Sequence, residues 1–166
     1  MIKVIHGIII LLLFTILWSV IFATSVLSEV AKDNDSVICL AENIYFESRG
    51  EPLKGQIAVA HVTLNRVNQK YYPDSICGVV KQANRDPQGN IKRHQCQFSW
   101  YCDGRSDIPA DKKLWNHSLK LAKEVLDGKY QDTTNGAIMF HAHWVSPSWR
   151  HDYTKTTRIG VHTFYR

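Results

Sequence analysis

Residues 4–28 carry no formal charge, and from Ile8 to about Phe22 they form an unbroken apolar run. A segment without a polar face cannot lie on the surface of a small soluble domain as an amphipathic helix would, so it reads as a membrane-directed leader. Two forms are open. Small residues at Ala23, Ser25 and Ser28 suit signal-peptidase cleavage, and a run near the ~20 residues that cross a bilayer also suits an uncleaved anchor. Lys3 precedes the run and Glu29, Asp33 and Asp35 follow it, which places the N-terminus in the cytoplasm. Residues 1–28 are therefore expected to be a signal peptide or membrane anchor. Residues 29–166 are expected to be one exported domain, at the periplasmic or extracellular face, held to the inner membrane if the leader is retained.

Removing the leader leaves roughly 138 residues, within the single-domain range and enough to bury a core. With 45% apolar and 11% aromatic residues, neither a disordered nor a collagenous chain fits. The 20 Lys and Arg against 15 Asp and Glu give a charge of +5, which favours polyanionic surroundings without choosing among them. Basic residues form no stripe; Lys92-Arg93-His94 is the densest cluster and reads as a solvated loop, so no nucleic-acid partner is expected.

Export changes the reading of Cys39, Cys77, Cys96 and Cys102. An even number in an oxidising compartment implies two disulfides, and three connectivities are possible. The five residues between Cys96 and Cys102 make a tight loop that favours pairing those two, leaving Cys39 with Cys77. Zinc-type ligand spacing is missing; the nearest pattern is His141-x-His143, so no metal and no cofactor are expected.

Helical spacing starts near Ser36, with Asp35 or Ser36 as N-cap and Val37, Leu40, Ala41, Ile44 and Glu47 along one stripe, ended by Gly50 and Pro52. A second helix is predicted from about Leu53 to Arg66, with Ile57, Ala58, His61 and Leu64 on its buried side. Pro73-Asp74-Ser75 opens a shorter one that reaches about Gln82. Polar residues 83–93 read as a surface loop. Residues 111–127 carry the strongest helical pattern, closed by Gly128. Two β-prone segments, 137–140 and 158–165 broken at Gly160, suggest a small antiparallel C-terminal ribbon. The expected class is α+β, mainly α.

Glu47 is out of place on its stripe. A carboxyl carried toward the core at a helix C-terminus meets desolvation and the negative end of the helix dipole, and both disfavour the anion. Such a group, protonated near neutral pH inside a cleft, is what general-acid cleavage of a glycosidic bond requires. The competing expectation is a structural ion pair between Glu47 and Arg49. Glu42, on the far side of the helix, should face solvent, and Glu51 reads as a loop or capping residue.

The run Ala41-Glu42-Asn43-Ile44-Tyr45-Phe46-Glu47-Ser48-Arg49-Gly50-Glu51-Pro52, followed by residues 55–60 and Leu64-Asn65-Arg66-Val67, resembles the cell wall hydrolases of the spore-cortex-lytic type. The blocks Cys96-Gln97-Phe98-Ser99-Trp100, Cys102-Asp103-Gly104, Asn135-Gly136-Ala137, Pro147-Ser148-Trp149 and Ile159-Gly160-x-His162 are similar to that family's later motifs. The chain departs where the family has a Tyr-Tyr-Asn run and this sequence has Phe140-His141-Ala142. The resemblance implies a lysozyme-like fold that cuts peptidoglycan between N-acetylmuramic acid and N-acetylglucosamine, with Glu47 as the catalytic acid.

Ordinary glycosidases use two carboxylates. No second one is evident, which suits a lytic transglycosylase, in which the muramic acid C6 hydroxyl attacks and one glutamate acts as acid and then base. Asp103 is the candidate second carboxylate if water is used instead. Phe98, Trp100, Trp144 and Trp149 lie in segments too polar for simple core and are candidates to stack on sugar rings. Ser99 and His141 are candidate polar contacts beside Glu47. The expected partners are glycan strands and, through the leader, a membrane; the expected state is a monomer. Two other readings compete: a Cys/His wall peptidase, which needs a free thiol, and a non-catalytic wall-binding module, which leaves Glu47 without a task.

Overall fold

The computed structural model describes residues 18, 22–24 and 31–166, so most of the leader expected over residues 1–28 lies outside the described residues. Among the described residues no helix is long and apolar enough to cross a membrane. The chain divides into two units, Met1–Asp35 and Ser36–Arg166. In the first, residues 31–35 are helical and exposed, so neither Asp35 nor Ser36 starts a helix as the sequence suggested. Nothing between Ala31 and Ser36 is Gly or Pro, and exposed polar residues cost a helix only tenths of a kcal/mol each, up to about 0.7.

The second unit is built around one helix. α1 comprises helical residues 36–48, and α2 runs Leu53–Val67. Every residue of α2 from Gly55 to Thr63 is buried, so it lacks the exposed face that a one-sided stripe implied. Its Ile57 and Ala60 pack with Leu40, Ala41 and Ile44 of α1 and with Leu121, Ala122 and Val125 of α4 (Lys112–Leu126). On the opposite side, Ala58 and Val62 meet Ala137 and Phe164. α4 begins where the Asp111 carboxylate accepts the Leu114 N–H at 3.0 Å as its N-cap.

The short helix α3 (Ile76–Val80) starts at Ser75, whose hydroxyl accepts from the Gly78 N–H. Val79 and Val80 join Cys39, Phe98 and Trp100 in a further apolar cluster. A disulfide links Cys39 of α1 to Cys77 of α3 across 38 residues; closing a loop of that size contributes roughly 3–4 kcal/mol in the chain-entropy account. The second disulfide joins Cys96 to Cys102, at the two ends of the turn that carries Phe98, Ser99 and Trp100.

Residues 83–93 are not the irregular loop that their polarity suggested. β1 (Ala83–Arg85) and β2 (Ile91–Cys96) pair antiparallel, Ala83 opposite Cys96 and Arg85 opposite Ile91. Asp86 organises the turn by accepting the Gln88 and Asn90 backbone N–H groups at 3.0 and 2.8 Å. Most side chains of both strands are exposed, so they show no apolar alternation. A 3₁₀ turn, Ser99–Cys102, follows.

The C-terminal ribbon is a three-stranded antiparallel sheet in the order β3 (Met139–Ala142), β5 (His162–Tyr165), β4 (Lys155–Ile159). All four residues of central β5 are buried, and Phe140 pairs with Phe164. Glu51 ties this sheet to the corner between α1 and α2. Its Oε2 accepts the Val161 backbone N–H at 2.9 Å, and its own backbone C=O accepts from the Gln56 side chain at 2.8 Å. Glu51 is thus a tertiary link as well as a loop residue. Glu42 is half-buried rather than solvent-facing, because α3 brings Lys81 Nζ within 3.3 Å of its carboxylate.

Two glycines of this region differ sharply. Gly160 has φ +60° and lies so close to the Glu51 carboxylate that a Cβ would collide with it, whereas Gly50 has ordinary φ and open space around it. Gly50 therefore does not end α1 through a left-handed cap. Gly160→Ala is expected to destabilise the fold by about 1–3 kcal/mol, the usual range for a strained backbone position, and Gly50→Ala by a few tenths at most. Urea titrations of the two variants provide the measurement.

Candidate active site

Glu47 sits in the last turn of α1, and the side chains of Asn43, Phe46 and Ser48 fix that turn. Asn43, fully buried, donates to Thr63 Oγ1 of α2 at 3.0 Å and accepts from Trp100 Nε1 at 3.2 Å. Phe46 stacks on the Trp100 ring with centroids 4.7 Å apart. Ser48 returns its hydroxyl to the Ile44 carbonyl at 2.9 Å. With these neighbours held inward, the side chain between them opens into a cavity of about 340 Å³, walled by Arg66, Phe98, Ser99, Met139, Phe140 and Trp149 among others.

The electrostatics of that cavity are simple. Among the described residues, Glu47 is its only acidic lining residue and Arg66 its only basic one. Burial pushes the Glu47 carboxyl up from the ordinary 4.5 to about 7, and the charge of Arg66 opposes this without cancelling it. Arg49, the partner that an ion-pair reading required, points elsewhere: it donates to the Tyr45 carbonyl at 3.1 Å and lies 4.7 Å over the Tyr45 ring.

Arg66 is the residue that sequence reasoning missed. It is 3% exposed. Its Nε donates to the Ile138 carbonyl at 2.7 Å, its guanidinium lies 4.8 Å from the Phe98 ring, and Nη1 has no hydrogen-bond partner. Burial draws its pKa below the usual arginine value, while Tyr72 and Glu47 pull the other way. A signal was present: Ala58, Val62 and Arg66 recur every four residues, so the guanidinium falls on a core stripe of α2 as Glu47 does on α1. Beside it, Asn65 donates to Asp132 and to the Ala137 carbonyl, both at 3.0 Å, fastening the approach to β3.

The candidate residues from the sequence separate into two groups. Phe98, Ser99 and Trp149 line the Glu47 cavity. Trp100 is buried and lines a different cavity of about 590 Å³ together with Tyr45, Phe46 and Asp103. His141 lies behind Trp149, edge-on at 5.5 Å, with one ring nitrogen 2.9 Å from the Tyr165 hydroxyl and the other 2.9 Å from the Ala142 carbonyl. Trp144 is exposed and lines neither cavity. His143 approaches the Val161 carbonyl at 3.2 Å, and among the described residues no His, Cys, Asp and Glu group could hold a metal ion. Both disulfides are formed and no free cysteine remains among the described residues, which removes the nucleophile of a Cys/His peptidase.

A profile of the family described as Cell Wall Hydrolase matches residues 50–165, beginning three residues after Glu47. The spore cortex-lytic enzyme of Halalkalibacterium halodurans is 31% identical over 133 residues, which is 80% of this chain and 34% of that protein. The Bacillus subtilis spore cortex-lytic enzyme is 47% identical over 47 residues, 28% of this chain and 15% of its own. The chain thus spans about a third or less of the length of these relatives. Among solved structures, the catalytic domain of Bacillus cereus SleB superposes with a TM-score of 0.56 at 26% identity, covering 81% of this chain and 91% of that one. The catalytic domain of the germination-specific lytic transglycosylase SleB from Bacillus anthracis gives 0.58 at 26% identity, covering 79% and 93%. Those domains are lysozyme-like, and this fold is of the same kind.

The raised Glu47 value has a consequence for stability. Its folded pKa exceeds its unfolded one, so the folded state is favoured by proton uptake below about 4.5, and that contribution is lost as pH rises through about 7. Glu47→Gln should therefore leave stability nearly unchanged at pH 4 and raise it at pH 8 by on the order of 1–3 kcal/mol, read by denaturant titration at both pH values. NMR titration of the Glu47 carboxyl should stay in place in Arg49→Gln and move upward in Arg66→Gln.

Proposed function

Because the chain belongs to the cell wall hydrolase family, we propose that its exported domain cuts peptidoglycan glycan strands between N-acetylmuramic acid and N-acetylglucosamine, as a lytic transglycosylase with Glu47 as acid and then base. The observation that carries this reading is a buried carboxyl whose pKa is pushed up to about 7, in a cavity that presents no other among the described residues. Trp149 offers a ring face to sugars and Ser99 a hydroxyl, the mixture of apolar wall and sparse polar groups that orients a saccharide, whereas Phe98, 2% exposed and with the Arg66 guanidinium over its ring, backs the cavity from the core and does not stack on the sugar as the sequence suggested.

The proton inventory closes with one acid. Glu47 protonates the glycosidic oxygen as its bond to muramic acid C1 breaks, leaving Glu47 ionised and C1 electron-deficient. The carboxylate then removes the proton of the C6 hydroxyl of the same sugar, O6 bonds to C1, and a 1,6-anhydro end forms without water. Glu47 finishes protonated. During the interval when it is anionic, Arg66 is the cation in the same cavity, and a buried opposite charge lowers the cost of that state. Asp103 lies in the other cavity, its backbone carbonyl held by Arg93 and its carboxylate by the Arg105 N–H, so it supports no two-carboxylate scheme. The leader, as signal peptide or anchor, would deliver the domain to the wall.

Glu47→Gln keeps the size of the side chain and its hydrogen bonding but removes the transferable proton, and is expected to lower wall lysis by about 10²–10⁴-fold in a folded protein. Wild-type activity should decline along an alkaline limb near pH 7. Mass spectrometry of digested sacculi should show anhydro-muramic ends. Reducing ends would mean hydrolysis by water, and near wild-type turnover in Glu47→Gln would remove the general-acid assignment.

A further inference from the structure

The larger cavity, about 590 Å³, has no part in the reaction described above, and its lining differs in kind from that of the Glu47 cavity. Its floor is aromatic, made by Tyr45, Phe46 and Trp100, and its rim carries two guanidiniums and two carboxylates, Arg49, Arg105, Asp103 and Asp107. The protein uses only part of their capacity: Arg49 donates to the Tyr45 carbonyl and the Asp103 carboxylate accepts the Arg105 backbone N–H. Arg105 Nε is 4.0 Å from Asp103 on a side chain that is 88% exposed. Asp107 makes no ion pair among the described residues, and partial burial together with neighbouring Asp103 holds its carboxyl above the ordinary value, with Lys81 opposing. Ile108 leaves 78% of its surface in solvent beside this floor.

The two cavities are neighbours. Phe46 lines one and Glu47 the other, and Trp100 and Ser99 divide in the same way, so adjacent residues of the same two segments line both cavities. We propose that this second cavity is a binding site for the peptide stem of the wall, its carboxylates directed to Arg49 and Arg105 and its free amine to Asp107 and Asp103. The inference rests on the wall-cleaving reading above. A muramic acid beside the broken bond carries its stem on the adjacent lactyl group, so the peptide must leave the glycan groove within about one sugar of Glu47. Neutral sugar rings would offer no charge to these four rim groups, of which Arg105 and Asp103 approach each other only to 4.0 Å. A short peptide with alanine methyls, free carboxylates and an amine complements the floor, Ile108 and both signs of charge, and charge-assisted hydrogen bonds from arginine to a carboxylate are the strong ones.

The test uses the probe L-Ala-γ-D-Glu-meso-diaminopimelate. Titrated into the labelled protein, it should shift the backbone amides of residues 103–108 and saturate. The double variant Arg105→Gln with Asp107→Asn, at exposed loop positions, should weaken that binding by about tenfold or more, the effect of losing one or two hydrogen bonds to charged groups. In parallel, intact sacculi should be cleaved with a lower KM than sacculi stripped of stems by an amidase, and the double variant should lose the difference. Shifts at residues 103–108 with chitotetraose but not with the tripeptide would overturn the proposal in favour of a sugar site, and so would an unchanged tripeptide affinity in the double variant. The titration reads the site without turnover, so failure of both sacculus preparations to be cleaved would count against the lytic reading alone.

Discussion

A helix that has no exposed face along most of its length must be covered on every side, and α2 imposes that condition on the rest of the fold. Residues 55–63 are buried throughout. α1 and α4 cover one side, and Phe164 with the β3 approach covers another. No single layer of a chain this short could do both, which is why the helices and the C-terminal sheet meet across α2 instead of forming separate clusters. Arg66 and Asn65, at the C-terminal end of the same helix, then reach the backbone of residues 137–138. The placement of β3, and with it one wall of the Glu47 cavity, follows from the burial of α2.

That wall brings together two groups that a core would ordinarily exclude. Desolvation pushes the Glu47 carboxyl up to about 7, and Arg66 Nη1 lies out of water with no hydrogen-bond partner among the described residues. Each costs stability, since a buried polar group without its hydrogen bonds is expensive. A fold that keeps both gives up stability at this cavity, a pattern that active sites commonly show. The surrounding contacts make the arrangement rigid: Asn43 between Thr63 and Trp100, Phe46 on Trp100, and the Cys39–Cys77 disulfide behind them.

The corner between α1 and α2 shows how one short motif serves several elements. In Gly50-Glu51-Pro52, the Glu51 carboxylate accepts the Val161 N–H and its carbonyl anchors Gln56, while Gln56 also meets His117 of α4 at 3.0 Å. The glycine that matters most to this corner is Gly160, more than a hundred residues away, where the turn between β4 and β5 comes against the same carboxylate. A local reading gives Glu51 a loop role; its long-range partner is visible only in three dimensions.

Much of the design was legible in the order of the residues. The amphipathic stripe of α4, the Ser75 start of α3 and the break at Gly160 are local chemistry, and they sit where propensity and hydrogen-bond inventory put them. Glu47 was identifiable because a carboxyl on an apolar stripe contradicts its surroundings, and the ordered blocks that surround it carried the family. The β1–β2 hairpin was not legible, because its exposed polar strands have no periodic pattern and only the Asp86 turn and the Cys96–Cys102 link specify them. Sequence could not say that Arg66 and not Arg49 faces Glu47, that Trp100 serves the core side and Trp149 the cavity, or that Asp103 belongs to a second cavity. Spacing along one helix fixes which residues share a face. The charge or ring a face meets depends on packing between segments far apart in the chain, and here that packing decides the chemistry.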